Sequence, residues 1–203
     1  MPIIPAHVIV NELSTLSAGA AAAAFLRLGY THVLPLGFDH ILFILSLLLL
    51  SPKLKPLLWQ ATTFTVAHSI TLGLAMYHVV KPSSAIVEPL ISLSICFVAL
   101  ENIFFAKLRP SRIAVVFVFG LVHGLGFAGA LTGLGLPRSS YLTGLIFFNI
   151  GVELAQLTVI LLGYLLLVNV LGRRLPYRTW VVIPVSGIIA GIALFWTIRR
   201  LFC

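Results

Sequence analysis

Apolar side chains run through this chain in long stretches, broken at short intervals by clusters of Pro, Gly, Lys and Arg. A bilayer core about 30 Å thick takes roughly 20 apolar helical residues. Six stretches approach or exceed that length, at 32–50, 57–80, 85–105, 113–136, 141–171 and 180–198. The segments between them, such as Ser51-Pro52-Lys53-Leu54-Lys55-Pro56, are short, so neighbouring spans should run antiparallel. The fifth stretch is longer than a crossing needs and is expected to tilt or project. Ahead of the first, an alanine-rich stretch from Leu13 to Leu28 has good helix propensity, with Asn11 placed to cap it. The predicted fold is therefore all-α: a polytopic transmembrane helix bundle of six spans (32–203). An N-terminal extracytoplasmic segment (1–31) precedes it, whose helix is interfacial or re-entrant, with a seventh span as the alternative.

Composition narrows the class further. Of 203 residues, 60% are hydrophobic and only 9% charged, against about 25% charged in soluble domains, which excludes a water-soluble globular protein. The formal charge of +8 does not indicate nucleic acid, because the basic residues sit in the loops. Lys53 and Lys55, then Lys107, Arg109 and Arg112, then Arg173, Arg174 and Arg178 fall in the odd loops, while the even ones hold only Lys81 and Arg138. The positive-inside rule puts the odd loops in the cytoplasm and both termini outside, with Arg199 and Arg200 pulling mildly the other way. A bacterial inner membrane is the expected location, and the lipid bilayer the first partner. The opening Met1-Pro2-Ile3-Ile4-Pro5 lacks the basic n-region of a signal peptide. Cys96 and Cys203 offer neither a disulfide framework nor metal-ligand spacing.

Candidate chemistry comes from polar residues at membrane depth. An Asp, Lys or Arg at a helix centre costs about 2.5–3.5 kcal/mol on insertion scales, so each needs a reason to be there. The first span carries His32, Asp39 and His40; the second Thr62, Thr65, His68, Ser69 and Thr71; the third Glu88, Ser92, Glu101 and Asn102. The fourth has His123 among glycines, and the fifth has Asn149, Glu153 and Gln156. Antiparallel packing brings His40, His68, His123 and Glu153 to similar depth. Asn149, Glu153 and Gln156, spaced i, i+4 and i+7, share one helix face that should look inward. Read as one continuous helix, the first span puts His32 and Asp39 on a common face and His40 about 100° away. Imidazole and carboxylate are ligands that Zn, Ni, Co and Fe accept. The candidate metal ligands are thus His32, Asp39, His40, His68, His123 and Glu153. Asn149, Gln156, Thr65, Ser69, Glu88, Glu101 and Asn102 would support them. A proton relay and purely structural helix-to-helix hydrogen bonding are the competing readings. Gly120 and Gly124 have the small-xxx-small spacing of closely packed membrane helices, or else leave room beside His123.

Gly37-Phe38-Asp39-His40-Ile41-Leu42-Phe43, Phe64 through Leu72, Val87-Glu88 through Glu101-Asn102, Phe119 through Ala128 and Phe148 through Gln156 form an ordered set of motifs. As a set they resemble the HupE/UreJ family of membrane proteins, from His32 to about Tyr164. Six residues between His32 and Asp39, and a later motif with His123 as its lone histidine and Phe127 nearby, are similar to the more divergent second branch. The resemblance implies a nickel or cobalt permease, with metal handled by His32, Asp39, His40, His68 and His123 and Glu153 as a further candidate.

Three functions stay open at this point. The first is a permease for a divalent transition metal (Ni, Co or Zn), binding at the midplane. The second is a membrane-embedded zinc-type hydrolase acting on a lipid or membrane peptide, with Glu153 or Asp39 as general base; no His-Glu-x-x-His or Gly-x-Ser-x-Gly motif supports it. The third is a structural accessory subunit. A homo-oligomer is compatible with each.

Overall fold

A computed structural model of the chain describes residues 18–50, 53–132, 138–171 and 176–202. Asn11, the loop residues Ser51, Pro52, Pro137, Arg173 and Arg174, and Cys203 lie outside the described residues. All regular structure among the described residues is helical. Seven helices follow in order: α1 Ala18–Val33, α2 Phe38–Leu50, α3 Leu54–Met76, α4 Ser84–Phe104, α5 Arg112–Thr132, α6 Tyr141–Gly163 and α7 Ile183–Phe202. Wider π-helical turns continue α6 through Tyr164–Leu171 and lead into α7 over Arg178–Val182.

Among the described residues, four segments are long and apolar enough to cross a membrane: Ser84–Phe104, Arg112–Gly129, Tyr141–Val170 and Arg178–Phe202. The bent pair α1 and α2 makes a fifth if it is one broken span. Large apolar side chains such as Trp59, Val66, Phe97, Leu161, Leu162 and Phe195 cover the outside of the bundle, the distribution expected where lipid replaces water. α3 is as long as a crossing requires but falls outside the apolar set, because Gln60, Thr65, His68 and Thr71 lie along its buried side.

The continuous helix expected over 32–50 is corrected. α1 ends at Val33, α2 starts at Phe38, and the two are bent by 68°. Pro35 has no N–H to carry a helix onward, and a Cβ on Gly37 would collide with the His32 carbonyl oxygen. The break turns the chain and brings His32 against His40, with ring centroids 4.7 Å apart. The two histidines that a straight helix would separate become neighbours.

Helices pair most closely as α3 with α5, α1 with α6, and α4 with α7. Glycine explains the first two. A Cβ on Gly120 would stand 2.7 Å from the Phe64 carbonyl oxygen, and one on Gly124 would strike the His68 carbonyl and the Thr71 hydroxyl. Gly29 likewise lies against the Phe148 carbonyl, and Gly151 against that of Leu26. Thr71 Oγ1 then donates to the Leu121 carbonyl at 2.7 Å across the α3–α5 seam. With no hydrophobic force between helices in lipid, such close backbone approach supplies the packing. α1 is not a separate surface helix: Phe25 and Val33 are fully buried, and Tyr30 Oη reaches Thr158 of α6. Gly124→Val should wedge α5 off α3 and lower stability by about 1–3 kcal/mol, read as a lower thermal midpoint in detergent. An unchanged midpoint would contradict the close seam.

Candidate metal centre

Four imidazoles from four helices meet in the interior. His32 ends α1, His40 opens α2, His68 lies mid-α3 and His123 mid-α5. Candidate ligand atoms of His32, His40 and His68 all lie within 4.8 Å of one another. His123 stands beside this trio, its ring centroid 5.2 Å from that of His40. Phe43, Phe64, Phe127 and Phe148 wall the group, in ring contact with one or more of the histidines. His32 Nε2, His40 Nε2, His68 Nε2 and His123 Nδ1 are buried without a hydrogen-bond partner. Leaving a buried polar atom unpaired costs about 1–3 kcal/mol, so four together define an environment suited to a ligand.

Two of these nitrogens can be assigned a protonation state from their neighbours. Asn149 Nδ2 donates to the Leu145 carbonyl at 2.7 Å, which turns Oδ1 toward His68 Nδ1 at 3.1 Å. The imidazole must therefore carry its hydrogen on Nδ1 and present a bare lone pair at Nε2. The hydroxyl of Ser94 donates to the Ile91 carbonyl at 2.6 Å, so Oγ accepts from His123 Nε2 at 3.0 Å. His123 Nδ1 is then the bare nitrogen. In both cases the unpartnered atom is the one able to bind a cation, and its orientation is held by a hydrogen bond behind it, as in established metal sites.

A cavity of about 470 Å³ opens on the group from one end of the bundle, lined by His32, His40, His123, Asp39, Glu88 and Arg200 among others. Asp39 is not one of the trio whose ligand atoms converge; it is ion-paired with Arg200 at 2.9 Å. Glu88 is exposed near the mouth. Glu153, grouped by depth with the histidines, instead accepts hydrogen bonds from Thr62 at 2.7 Å and from Thr65. Gln156 Nε2 donates to Thr65 Oγ1 at 3.0 Å. Asn149, Glu153 and Gln156 thus all address α3, but only Asn149 meets a histidine. Ser69 bonds within its own helix, to the Thr65 carbonyl.

Glu101 and Asn102 belong to a second polar cluster, at the opposite end of the bundle. Its centre is Arg112, which the loop reading counts among the solvated topology charges; here that reading is corrected. Arg112 begins α5 and its side chain is fully buried. It pairs with Glu101 at 2.8 Å and donates to Asn102 Oδ1, Gln60 Oε1 and the Ser46 carbonyl. Asn102 Nδ2 bonds the Ser46 carbonyl and the Ser186 hydroxyl, so α2, α3, α4, α5 and α7 are all tied at this end. Gln60, Ser94, Arg112, Ser186 and Arg200 are among the residues that sequence reasoning left out of the polar clusters. For Arg112 a signal existed, since an intramembrane Glu101 calls for a cation.

The fold and site define an all-helical integral membrane protein with a buried histidine cluster able to hold a metal ion. The chain matches the family model described as HupE / UreJ protein over residues 9–200 and belongs to that family. No curated protein and no solved structure matches it.

Glu101→Ala leaves Arg112 buried without its counter-charge and should cost about 3–5 kcal/mol of stability. Glu101→Ala with Arg112→Met removes both charges and should recover most of that loss. Equal midpoints for the single and double variants would contradict the buried pair.

Proposed function

We propose that this protein is a permease for a divalent transition-metal cation of the nickel or cobalt kind, bound in transit by His32, His40 and His68 with His123 alongside. The observation that carries this reading is the convergence of four imidazoles with buried, unpartnered nitrogens, three of which (His32, His40 and His123) line a cavity whose wall also holds Asp39 and Glu88. Neutral nitrogen donors suit these borderline ions. A ligand set of imidazoles with no carboxylate hydrogen-bonded to it favours release over permanent retention. The hydrolase alternative relies on Glu153 or Asp39 as base, and those carboxylates are engaged by Thr62 and Thr65, and by Arg200.

In the membrane, α1 and α2 form one broken span and α3 to α7 the other five. α3, at about 1.5 Å per residue, is long enough to cross, with its polar side turned inward and Leu58, Trp59, Val66, Ile70 and Leu74 outward. The cavity end, with both termini, faces the exterior, and the Arg112 end faces the cytoplasm of a bacterial inner membrane. Pairing of Arg200 with Asp39 removes its weight as a contrary topology signal.

Purified protein equilibrated with Ni(II) or Co(II) should hold about one ion per chain, and His68→Ala and His123→Ala should lose it while remaining folded. Asn149→Leu, which frees the His68 ring, should weaken binding by roughly 10–100-fold. Acidification should weaken it too, because an imidazole must be neutral to ligate. In proteoliposomes the intact chain should move the ion down its gradient and the His68 variant should not. Binding without flux would turn the reading away from transport.

A further inference from the structure

The way to the histidines leads past an ion pair. Arg200, near the end of α7, directs both terminal nitrogens at Asp39, with Nη1–Oδ1 at 3.2 Å and Nη2–Oδ2 at 2.9 Å. Nη1 also donates to the Glu88 carbonyl at 3.1 Å, and the guanidinium lies over Trp196, 5.5 Å from the ring centroid. Asp39, Glu88 and Arg200 all line the same cavity as His40 and His123. Behind Asp39, one residue on in α2, is His40, which is 6% exposed and whose Nε2 has no partner.

A guanidinium has no lone pair and stays protonated, so Arg200 cannot ligate a metal. What it can do is occupy a carboxylate that a cation would otherwise take. We propose that Asp39, with Glu88 nearby, is an outer capture site for a hydrated divalent cation, and that Arg200 is a tethered cation that fills it and must be displaced before the ion reaches His40. This rests on the histidine-site reading above and adds to it a gate and a basis for selection. A divalent ion competes with the single charge of Arg200 at Asp39 better than a monovalent ion does. Because Asp39 and His40 are adjacent in sequence, an ion taken by the carboxylate is delivered at the first imidazole. Because Arg200 lies on α7, its release frees the end of α7 from α2 and from the Glu88 carbonyl of α4.

A merely structural ion pair makes a different prediction. Losing either partner would then lower stability and shift metal arrival in the same direction, or not at all. Capture with a tethered competitor predicts opposite signs. The test is stopped-flow mixing of the full-length protein in detergent with Co(II), following the absorption band that Co(II) gains from imidazole ligation. Arg200→Gln should speed arrival roughly tenfold, the lower end of electrostatic effects on association. Asp39→Asn, which leaves an unpaired positive charge in the mouth, should slow it by a similar factor, and the double variant should fall between them. Should Arg200→Gln fold poorly, Arg200→Lys keeps the charge but loses the two-pronged geometry and should still arrive faster than wild type. Rates for the single variants that move together, or stay within twofold of wild type while its Co(II) band is normal, would overturn the gate alone. A wild-type protein that develops no Co(II) band would overturn the histidine site and the gate with it.

Discussion

The approach of α5 to α3 at Gly120 and Gly124 is the contact on which the centre of this protein depends. A side chain at either position would push into the backbone of the other helix, at Phe64 or at His68. With glycine there, His123 and His68 lie on facing helices within one group of rings, and the Phe64 ring packs against both at 5.0 and 6.1 Å. A similar logic joins α1 to α6 at Gly29 and Gly151 and sets His32 beside Phe148. Van der Waals contact of backbones thus does two tasks in lipid: it holds helices together, and it lets imidazoles from separate helices share a few ångströms of space.

Around that centre the polar groups divide into two ends with different character. At the cavity end the histidine nitrogens are unpartnered and the ion pair of Asp39 and Arg200 is only half-buried, with side chains 27% and 25% exposed. At the other end Arg112 and its partners are buried and joined to five helices. A buried ion pair is weak as a source of net stability but costly to break, which suits it to hold one end of the bundle shut while the other is accessible. Between the two lie Phe43, Phe64 and Phe119, with the Phe43 ring in contact with each of the other two. For a permease in the sense proposed here, this arrangement corresponds to a state open on the cavity side.

Support of the imidazoles from behind unites features that look unrelated along the chain. Asn149 is itself held by the Leu145 carbonyl, and Ser94 by that of Ile91. Each polar side chain therefore spends one hydrogen bond on its own helix and the other on a histidine of a different helix. That pattern converts a flexible ring into one with a determined tautomer, a condition for ligation that the histidine alone does not satisfy.

Much of this could be read before any coordinates. Helix boundaries after the first span, to within about five residues, the all-α class and the family followed from apolar run length and from ordered motifs, because a bilayer imposes both a length and a composition on whatever crosses it. The histidines and the face shared by Asn149, Glu153 and Gln156 were visible because ionisable and amide groups are rare in such runs. Depth counting could align residues along the membrane normal but carried no information across it, so Glu153 was grouped with histidines when its partners are Thr62 and Thr65. Arg112 looked like a loop charge because it sits one residue beyond a Pro-Ser turn, and only packing shows that its side chain turns inward to Glu101. The 68° break between α1 and α2 was signalled by Pro35 and Gly37, yet its direction, and with it the meeting of His32 and His40, depended on what the two helices pack against. The sequence by itself determined which residues could serve as ligands and roughly how deep they lie, since both follow from local periodicity and solvation. The tertiary structure alone decided which of them meet, and that Asp39 is held by Arg200 from the far end of the chain, because contacts between distant segments depend on helix rotation and crossing that no local pattern encodes.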